Sequence, residues 1–233
     1  QAESDPNTVG YVLWMNSNGS VLSDSDYLDP ALGIMEKVLV EPDFNRADFE
    51  RERERSLVSL RHSEQQPSKV ADYRFYEAVY GDHPYATRPI GNAGSLQALT
   101  IGDLQSFHRR YYVARNAVIA IVGDVDRKAA EQLATRLAGR LPEGERPATV
   151  PPVAALGEPV EDSVTRPSTQ THVRMGAPGM HRGDPDYFPL YVGNHILGGS
   201  GLITRISEEI REKRGLAYSA YSYFIPMERK GPY

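Results

Sequence analysis

The pattern of apolar and polar residues is most distinctive between residues 198 and 224, where it predicts a helix, a stop and a strand. Ser200 supplies a hydroxyl near the start of the helix, and apolar side chains then recur every four residues, the spacing of one helix face. Gly215 follows, where a helix end commonly takes a left-handed glycine cap. Bulky and small residues then alternate with the period of a β-strand. The apolar helix positions are Leu202, Ile206 and Ile210, and the strand is predicted over residues 216–224.

The predicted turn folds the strand back along the end of the helix, so Arg211, in the last helical turn, is expected to lie close to Tyr218. Arginine carries a rigid, charged fork of donors, and tyrosine carries a phenol that can donate to a carbonyl. Together they could hold a peptide carbonyl or stabilise a developing oxyanion. Spacing alone favours a simpler interpretation, in which the arginine satisfies the final helix carbonyls and the tyrosine packs on the strand.

Elsewhere the pattern predicts further helices and a few strands. Asn45, Thr100 and Asp126 each precede an amphipathic run and are predicted to cap it, and Asp103 completes a capping box at Thr100. Ser68 is predicted to cap another helix. The predicted helices cover residues 29–40, a run from 45 that includes 50–55, 68–79, 101–111, 127–141 and 187–197, and the predicted strands cover 9–15, 116–122 and 170–176.

These elements follow no regular strand–helix–strand order, which favours an α+β fold. Six prolines fall between residues 142 and 167, among few apolar clusters, and this predicts an extended linker between two domains. The predicted domains are residues 1–141 and 169–233, with residues 142–168 as the linker. Neither end of the chain shows a natural boundary element, so both domains are expected to be truncated.

The composition is that of an ordinary globular protein and excludes several classes of function. Of the 233 residues, 40% are hydrophobic and 24% are charged. The net charge of −5 argues against a nucleic-acid partner, since phosphate binding needs a basic surface. The absence of cysteine excludes disulfides, thiol nucleophiles and cysteine zinc ligands. No apolar run approaches the length of a transmembrane span, so no membrane span is predicted.

The residues by themselves give weak support for catalysis by this chain. None of the six histidines stands four residues from another, and none belongs to an HxxEH or HxxE pattern, so no metal site is predicted. Ser59, Ser63 and Ser200 have no identifiable base, and neither a GxSxG elbow nor a phosphate-binding loop occurs. Asp124 and Asp126 are better explained as a strand end followed by a helix cap.

The residues EEIREKRGLAYSAYSYF resemble the second-half signature of the M16 metallopeptidases, the family of insulin-degrading enzyme, pitrilysin and the mitochondrial processing peptidase. Upstream, the loop GDHPY…PIG and the run FHRRYYVARNAVIAIVGD resemble the later part of an M16 first half. The likeness extends over residues 27–224. It implies two homologous α+β halves, with residues 1–141 as the later part of the first and residues 169–233 as the early part of the second.

The resemblance also implies how such a unit works. In that family two units enclose a peptide-binding chamber, and one of them holds zinc through HxxEH and a distal glutamate. The other unit contributes an arginine and a tyrosine, seven residues apart, that reach the substrate in the partner's site. Arg211 and Tyr218 match those positions in type and spacing, and the resemblance therefore implies that they bind substrate.

The distal zinc glutamate of the family has no counterpart in this sequence. In the family it lies seven residues after a glutamate of the RER pattern. In this sequence that position is Ser59 when counted from Glu52, or Arg61 when counted from Glu54. A neutral hydroxyl or a cation cannot replace an anionic zinc ligand. The chain is therefore expected to bind no cofactor itself, to have no catalytic residue of its own, and to leave zinc to a partner unit.

The hypothesis is a non-catalytic M16 unit that pairs with an HxxEH-bearing M16 unit and helps to bind a peptide or protein substrate. One alternative is a structural subunit of a larger complex, comparable to M16-like core proteins of a respiratory complex. Another is a fragment of an active zinc metalloendopeptidase whose HxxEH lies outside this sequence. Resemblance to bacterial two-subunit M16 proteins favours a periplasmic setting.

Overall fold

The computed structural model describes residues 25–199 and 201–233, and it is helical. The predicted strand over residues 9–15 and the hydroxyl of Ser200 lie outside the described residues. The α-helices are α1 (Ser25–Val40), α2 (Arg46–Gln65), α3 (Pro67–Tyr80), α4 (Ala93–Ala98), α5 (Ile101–Tyr111), α6 (Arg127–Ala138) and α7 (Tyr187–Asn194). Two short 3₁₀ turns cover Pro84–Ala86 and Ala114–Asn116, and two π-helical turns cover His195–Gly199 and Ser207–Glu212.

The prediction of an α+β fold with two α+β halves is wrong, because the described residues form no sheet. Their only strand-like pairings are two isolated bridges, Pro178 with Pro232 and His181 with Met227. The segment predicted as a buried strand over residues 116–122 is instead open to solvent, and Val118 is 95% exposed. A strand exists only when a second segment supplies cross-strand hydrogen bonds, and alternation along one segment does not provide that partner.

The described chain divides into two compact units, each of which combines segments far apart in sequence. The first comprises the described residues up to Leu60 together with Ile90–Thr149, and the second comprises Arg61–Pro89 together with Val150–Tyr233. The boundaries of these two units differ from those of the predicted domains 1–141 and 169–233. Those two domains remain a prediction. None of the described helices is both long enough and apolar enough to cross a membrane.

In the first unit, α1 is the element against which α5 and α6 are fixed. Arg136 of α6 donates to the Asp29 carboxylate over 2.8 Å, and Arg140 donates to Glu36 over 3.1 Å. On α5, His108 places Nε2 2.8 Å from the carbonyl oxygen of Leu39. The buried apolar side chains of this unit are Leu32, Leu57, Leu60, Val113 and Leu137.

In the second unit, the core lies where α3, the loop after it and the proline-rich segment meet. Val79, Tyr80, Tyr85 and Val150 form one buried cluster. The Tyr85 hydroxyl accepts a hydrogen bond from the backbone N–H of Arg229 over 3.0 Å. Val150, inside the predicted linker, is only 1% exposed, so the start of the proline-rich segment is packed into this unit.

The helix caps predicted from local sequence are mostly confirmed. Thr100 and Asp103 form a reciprocal capping box at α5, and Asp126 accepts from the Ala129 N–H at α6. Asn45 accepts from the Ala47 N–H over 2.8 Å at the start of α2. Ser68 does not cap α3, because Pro67 occupies the first helical position and the chain enters through Gln66.

Candidate functional site

Arg211 lies on a π-helical turn, Ser207–Glu212, in the second unit. The wide turn is closed by the Lys213 N–H, which donates over 2.9 Å to the carbonyl of Glu208 five residues earlier. At its start, the Ser207 N–H donates to the Thr204 hydroxyl over 3.3 Å, and both of those residues are 3% exposed. The helical segment therefore begins after Thr204, and Leu202, predicted to lie on its buried face, is 63% exposed ahead of it.

The predicted glycine stop is confirmed at Gly215, whose φ is +60°. Its N–H donates to the Arg211 carbonyl over 2.9 Å, and the Leu216 N–H donates to the Ile210 carbonyl over 3.0 Å. A left-handed residue followed by such bonds ends the helix and turns the chain. The segment after Gly215 runs back past the helix end, and this is what brings Tyr218 to Arg211.

The predicted proximity of Arg211 and Tyr218 is confirmed. The guanidinium carbon of Arg211 lies 5.4 Å from the centroid of the Tyr218 ring, within the range of a cation–π contact. The tyrosine side of the pair faces solvent, since Tyr218 is 90% exposed. Leu216 and Tyr221 of the same segment are also exposed, at 74% and 63%. The site therefore joins a partly buried cation to an open aromatic and apolar surface.

One nitrogen of Arg211, Nη1, lacks a hydrogen-bond acceptor among the described residues. Within residues 25–199 and 201–233, Nη1 is buried and has no hydrogen-bond acceptor. The Glu212 carboxylate lies 3.4 Å from it and forms an ion pair, but the orientation of the two groups does not make a hydrogen bond. A buried donor without an acceptor is unfavourable, and the nearby Glu212 carboxylate compensates this one only in part.

The simpler interpretation of Arg211, as the residue that satisfies the last helix carbonyls, does not describe the structure. Backbone N–H groups of Lys213, Gly215 and Leu216 donate to three of those carbonyls. A fourth, that of Glu209, accepts from Arg214 Nη1 over 2.6 Å. Arg214 is therefore the side chain that caps this helix end, and the Arg211 guanidinium is directed to Tyr218.

The other cations of this helix end are neutralised by carboxylates. Lys213 Nζ lies 2.6 Å from Glu209 and 3.0 Å from Glu208, and Arg214 lies 2.7 Å from Glu209. Hydrogen bonds from Lys213, and then from Arg214, lower the pKa of the Glu209 carboxyl to about 2. Glu209 therefore engages Lys213 and Arg214, whereas Arg211 lies between the Glu212 carboxylate and the Tyr218 ring.

The two candidate positions for a zinc glutamate lie on α2 and do not form a metal centre. Ser59 and Arg61 are both exposed there. In the part of the chain that the structure describes, no group of three or more His, Asp or Glu side chains is placed to hold a metal ion. The chemistry of these residues does not fit zinc, since neither side chain is an anionic ligand.

Sequence reasoning missed a second pair close to the site, Asn194 at the end of α7 and Ser222 in the segment that carries Tyr218. Their side chains hydrogen-bond directly, over 2.7 Å. The available signal was the double glycine at Gly198 and Gly199, which often marks a place where another backbone approaches closely.

The chain is similar to a known protein family and to proteins of several bacteria. Residues 98–232 match a family described as "Peptidase M16 inactive domain". An uncharacterized zinc protease of Mycobacterium bovis is 38% identical over 180 residues, which cover 75% of this chain and 40% of that protein. An uncharacterized zinc protease of Streptomyces coelicolor is 32% identical over 185 residues, with coverage of 76% and 39%.

A crystal structure of a peptidase M16 inactive domain from Pseudomonas fluorescens aligns with a TM-score of 0.81 at 35% identity. The alignment covers 90% of this chain and 51% of that chain. The chain thus spans about half the length, or less, of these relatives.

Proposed function

Since the chain belongs to the peptidase M16 inactive-domain family, we propose that it is a non-catalytic unit that pairs with an HxxEH-bearing M16 unit and helps to bind peptide substrate. Arg211 and Tyr218 are the residues that contact the substrate in this proposal. The observation that carries it is the unmet donor of Arg211 Nη1 next to an exposed phenol ring.

A peptide carbonyl supplies what this pair lacks. The guanidinium donates a charge-assisted hydrogen bond to a carbonyl oxygen, and such a bond contributes about 1.5–3 kcal/mol. The Tyr218 hydroxyl can donate a second bond to the same or the next carbonyl. Because backbone carbonyls are common to all peptides, this contact orients the chain of a substrate without selecting its side chains.

The proposal assigns zinc to the partner unit. Ser59 and Arg61 do not fit a metal, so the part played by this chain is to hold and orient the peptide.

The test is to combine the whole protein with an HxxEH-bearing partner and to measure peptide affinity and cleavage for Arg211→Ala and Tyr218→Phe. We expect Arg211→Ala to weaken peptide affinity by about tenfold or more, as the loss of a charged hydrogen bond predicts. We expect Tyr218→Phe to weaken it less, since only a neutral hydrogen bond is lost while the ring stays.

Two matched controls lie in the same segment. Arg205→Ala removes an exposed arginine at the start of the same helical segment, and Tyr221→Phe removes a hydroxyl three residues beyond Tyr218. Both controls should bind and cleave as the unmodified protein does. If Arg211→Ala and Tyr218→Phe leave affinity and turnover at the control level, the pair has no part in substrate binding.

A second candidate function rests on the names of the relatives, since the Mycobacterium bovis and Streptomyces coelicolor proteins are both described as zinc proteases. The matched region covers 40% and 39% of them, so the remainder could supply metal ligands in the same polypeptide. Metal analysis of the purified whole protein separates the two functions. Stoichiometric zinc in the protein without a partner would favour the self-sufficient protease.

A further inference from the structure

We infer that Asn194 and Ser222 are positioning residues that hold the Tyr218-bearing segment against the end of α7 and so set the Arg211–Tyr218 geometry. This inference deepens the proposed function and rests on it for its biological meaning. The structural claim itself concerns only where the Tyr218 ring lies. Both residues belong to the second compact unit, as do Arg211 and Tyr218.

Three hydrogen bonds converge on Ser222. Its hydroxyl donates to Asn194 Oδ1 over 2.7 Å, and Asn194 Nδ2 donates back to the Ser222 carbonyl over 3.0 Å. The Ser222 N–H donates to the carbonyl of Gly198 over 3.0 Å. The oxygen and the nitrogen of the Asn194 side-chain amide therefore both bind Ser222. Together they fix the position of the backbone at Ser222 and of its side chain.

The glycines of the π-helical turn after α7 make room for this contact. A Cβ atom at Gly198 would lie 2.6 Å from Ser222 Oγ and 2.9 Å from Ser222 N, closer than real Cβ atoms come to other atoms. A Cβ atom at Gly199 would lie 2.8 Å from Asn194 Nδ2. The close approach therefore depends on glycine at both positions.

Gly198 also contacts the helical segment that carries Arg211. A Cβ atom at Gly198 would lie 2.8 Å from Cδ1 of Ile206, a residue of the helical segment five positions before Arg211. Gly198, in the turn after α7, thus touches both neighbours at once, the segment of Tyr218 at Ser222 and the helix of Arg211 at Ile206. Fixing both against one site sets the distance between arginine and ring.

Tyr218 itself makes few packing contacts that could hold it in place. Its ring is 90% exposed, and a surface cation–π contact is worth only about 0.5–1 kcal/mol. The position of the ring is therefore set by the backbone that carries it. Before Tyr218, that backbone is held by the hydrogen bonds of Gly215 and Leu216. After Tyr218, it is anchored by the contact of Ser222 with Asn194. Loss of the anchor is expected to release the ring from Arg211 without unfolding the unit.

The test replaces Tyr218 by fluorotyrosine in the whole protein and follows its fluorine NMR resonance without any peptide present. Arg211→Ala gives the resonance of the ring without its cation. Asn194→Ala and Ser222→Ala should both move the resonance toward that position. The controls His195→Ala and Ser219→Ala, each next to the contact in sequence and exposed, should leave it unchanged.

Two further variants separate local release from general unfolding. Asn194→Asp keeps the size and the acceptor for Ser222 but places an oxygen against the Ser222 carbonyl, so it should move the resonance while circular dichroism stays unchanged. The double variant of Asn194→Ala and Ser222→Ala should move it no further than Asn194→Ala alone, because that change already removes both side-chain bonds to Ser222. An unmoved resonance in the single variants, or an additive effect in the double, would overturn the inference.

Peptide affinity measured on the same variants distinguishes this inference from the proposed function. If the ring moves but Arg211→Ala binds peptide normally, the positioning role stands and the proposed function fails. If Arg211→Ala loses peptide while Asn194→Ala and Ser222→Ala retain both resonance and affinity, the positioning role fails alone.

Discussion

The guanidinium carbon of Arg211 lies 5.4 Å from the centroid of the Tyr218 ring, although the two residues stand on opposite sides of a glycine turn. This contact should be visible by NMR as a ring-current shift of the Arg211 side-chain protons. We expect Tyr218→Leu to abolish the shift and Tyr218→Phe to keep it, because the effect needs the ring and not the hydroxyl. A shift that survives in Tyr218→Leu would contradict the geometry.

A side chain at Gly215 should destabilise the glycine turn. Nothing lies within 4 Å of a Cβ atom built there, so the cost of Gly215→Ala comes only from its φ of +60°. We expect a loss of about 1–2 kcal/mol in the free energy of unfolding, measured with urea. Gly157→Ala is the matched control, since Gly157 also has open space around it but no positive φ, and it should be neutral or slightly stabilising.

The carboxyl of Glu209 should titrate far below an ordinary glutamate. Lys213, and then Arg214, lower its pKa to about 2. A depressed carboxyl pKa means that the group stabilises the fold above the ordinary glutamate pKa and loses that contribution as the pH falls toward 2. NMR titration of the side-chain carbon should show this midpoint, and Lys213→Ala should raise it toward the ordinary value.

If Glu209 titrates at its ordinary value in the unmodified protein, the ion pairs at this helix end do not form in solution. Lys128→Ala is a suitable control, because that exposed lysine lies on α6, in the first compact unit. Lys128→Ala should leave the titration midpoint of the Glu209 carboxyl unchanged.

The start of the proline-rich segment should contribute to stability. Val150 is 1% exposed and belongs to the cluster around Tyr80 and Tyr85, so Val150→Ala should cost about 2 kcal/mol in the free energy of unfolding. Val160, ten residues later, is 67% exposed, and Val160→Ala should change it by less than about 0.5 kcal/mol. Equal effects in urea unfolding would show that the segment is not packed at Val150.

Features set by a few neighbouring residues could be predicted from the sequence. The caps at Thr100 and Asp126 and the stop at Gly215 each depend on side chains or a backbone conformation within about four residues. The Arg211–Tyr218 contact could be predicted for the same reason, since one turn joins the two residues.

Features that depend on distant partners could not be predicted. The sequence predicts a strand over residues 116–122, which are apolar from Ala117 on, yet Val118 and Val122 are 95% and 92% exposed, because no segment among the described residues pairs with them. The contact of Asn194 with Ser222 joins residues 28 positions apart, and the sequence around one residue does not indicate the other as its partner. Each of these required knowledge of which segments meet.

The π-helical turn at Ser207–Glu212 has a consequence for how this sequence can vary in length. Each residue added to or removed from a helix rotates everything after it by about 100° around the axis. A single deletion ahead of Ser207 that kept the wide turn would therefore point Arg211 away from Tyr218 while leaving both residues in the sequence. A change in the number of residues between Thr204 and Gly215 therefore keeps the pair together only where the π-helical turn takes up the difference.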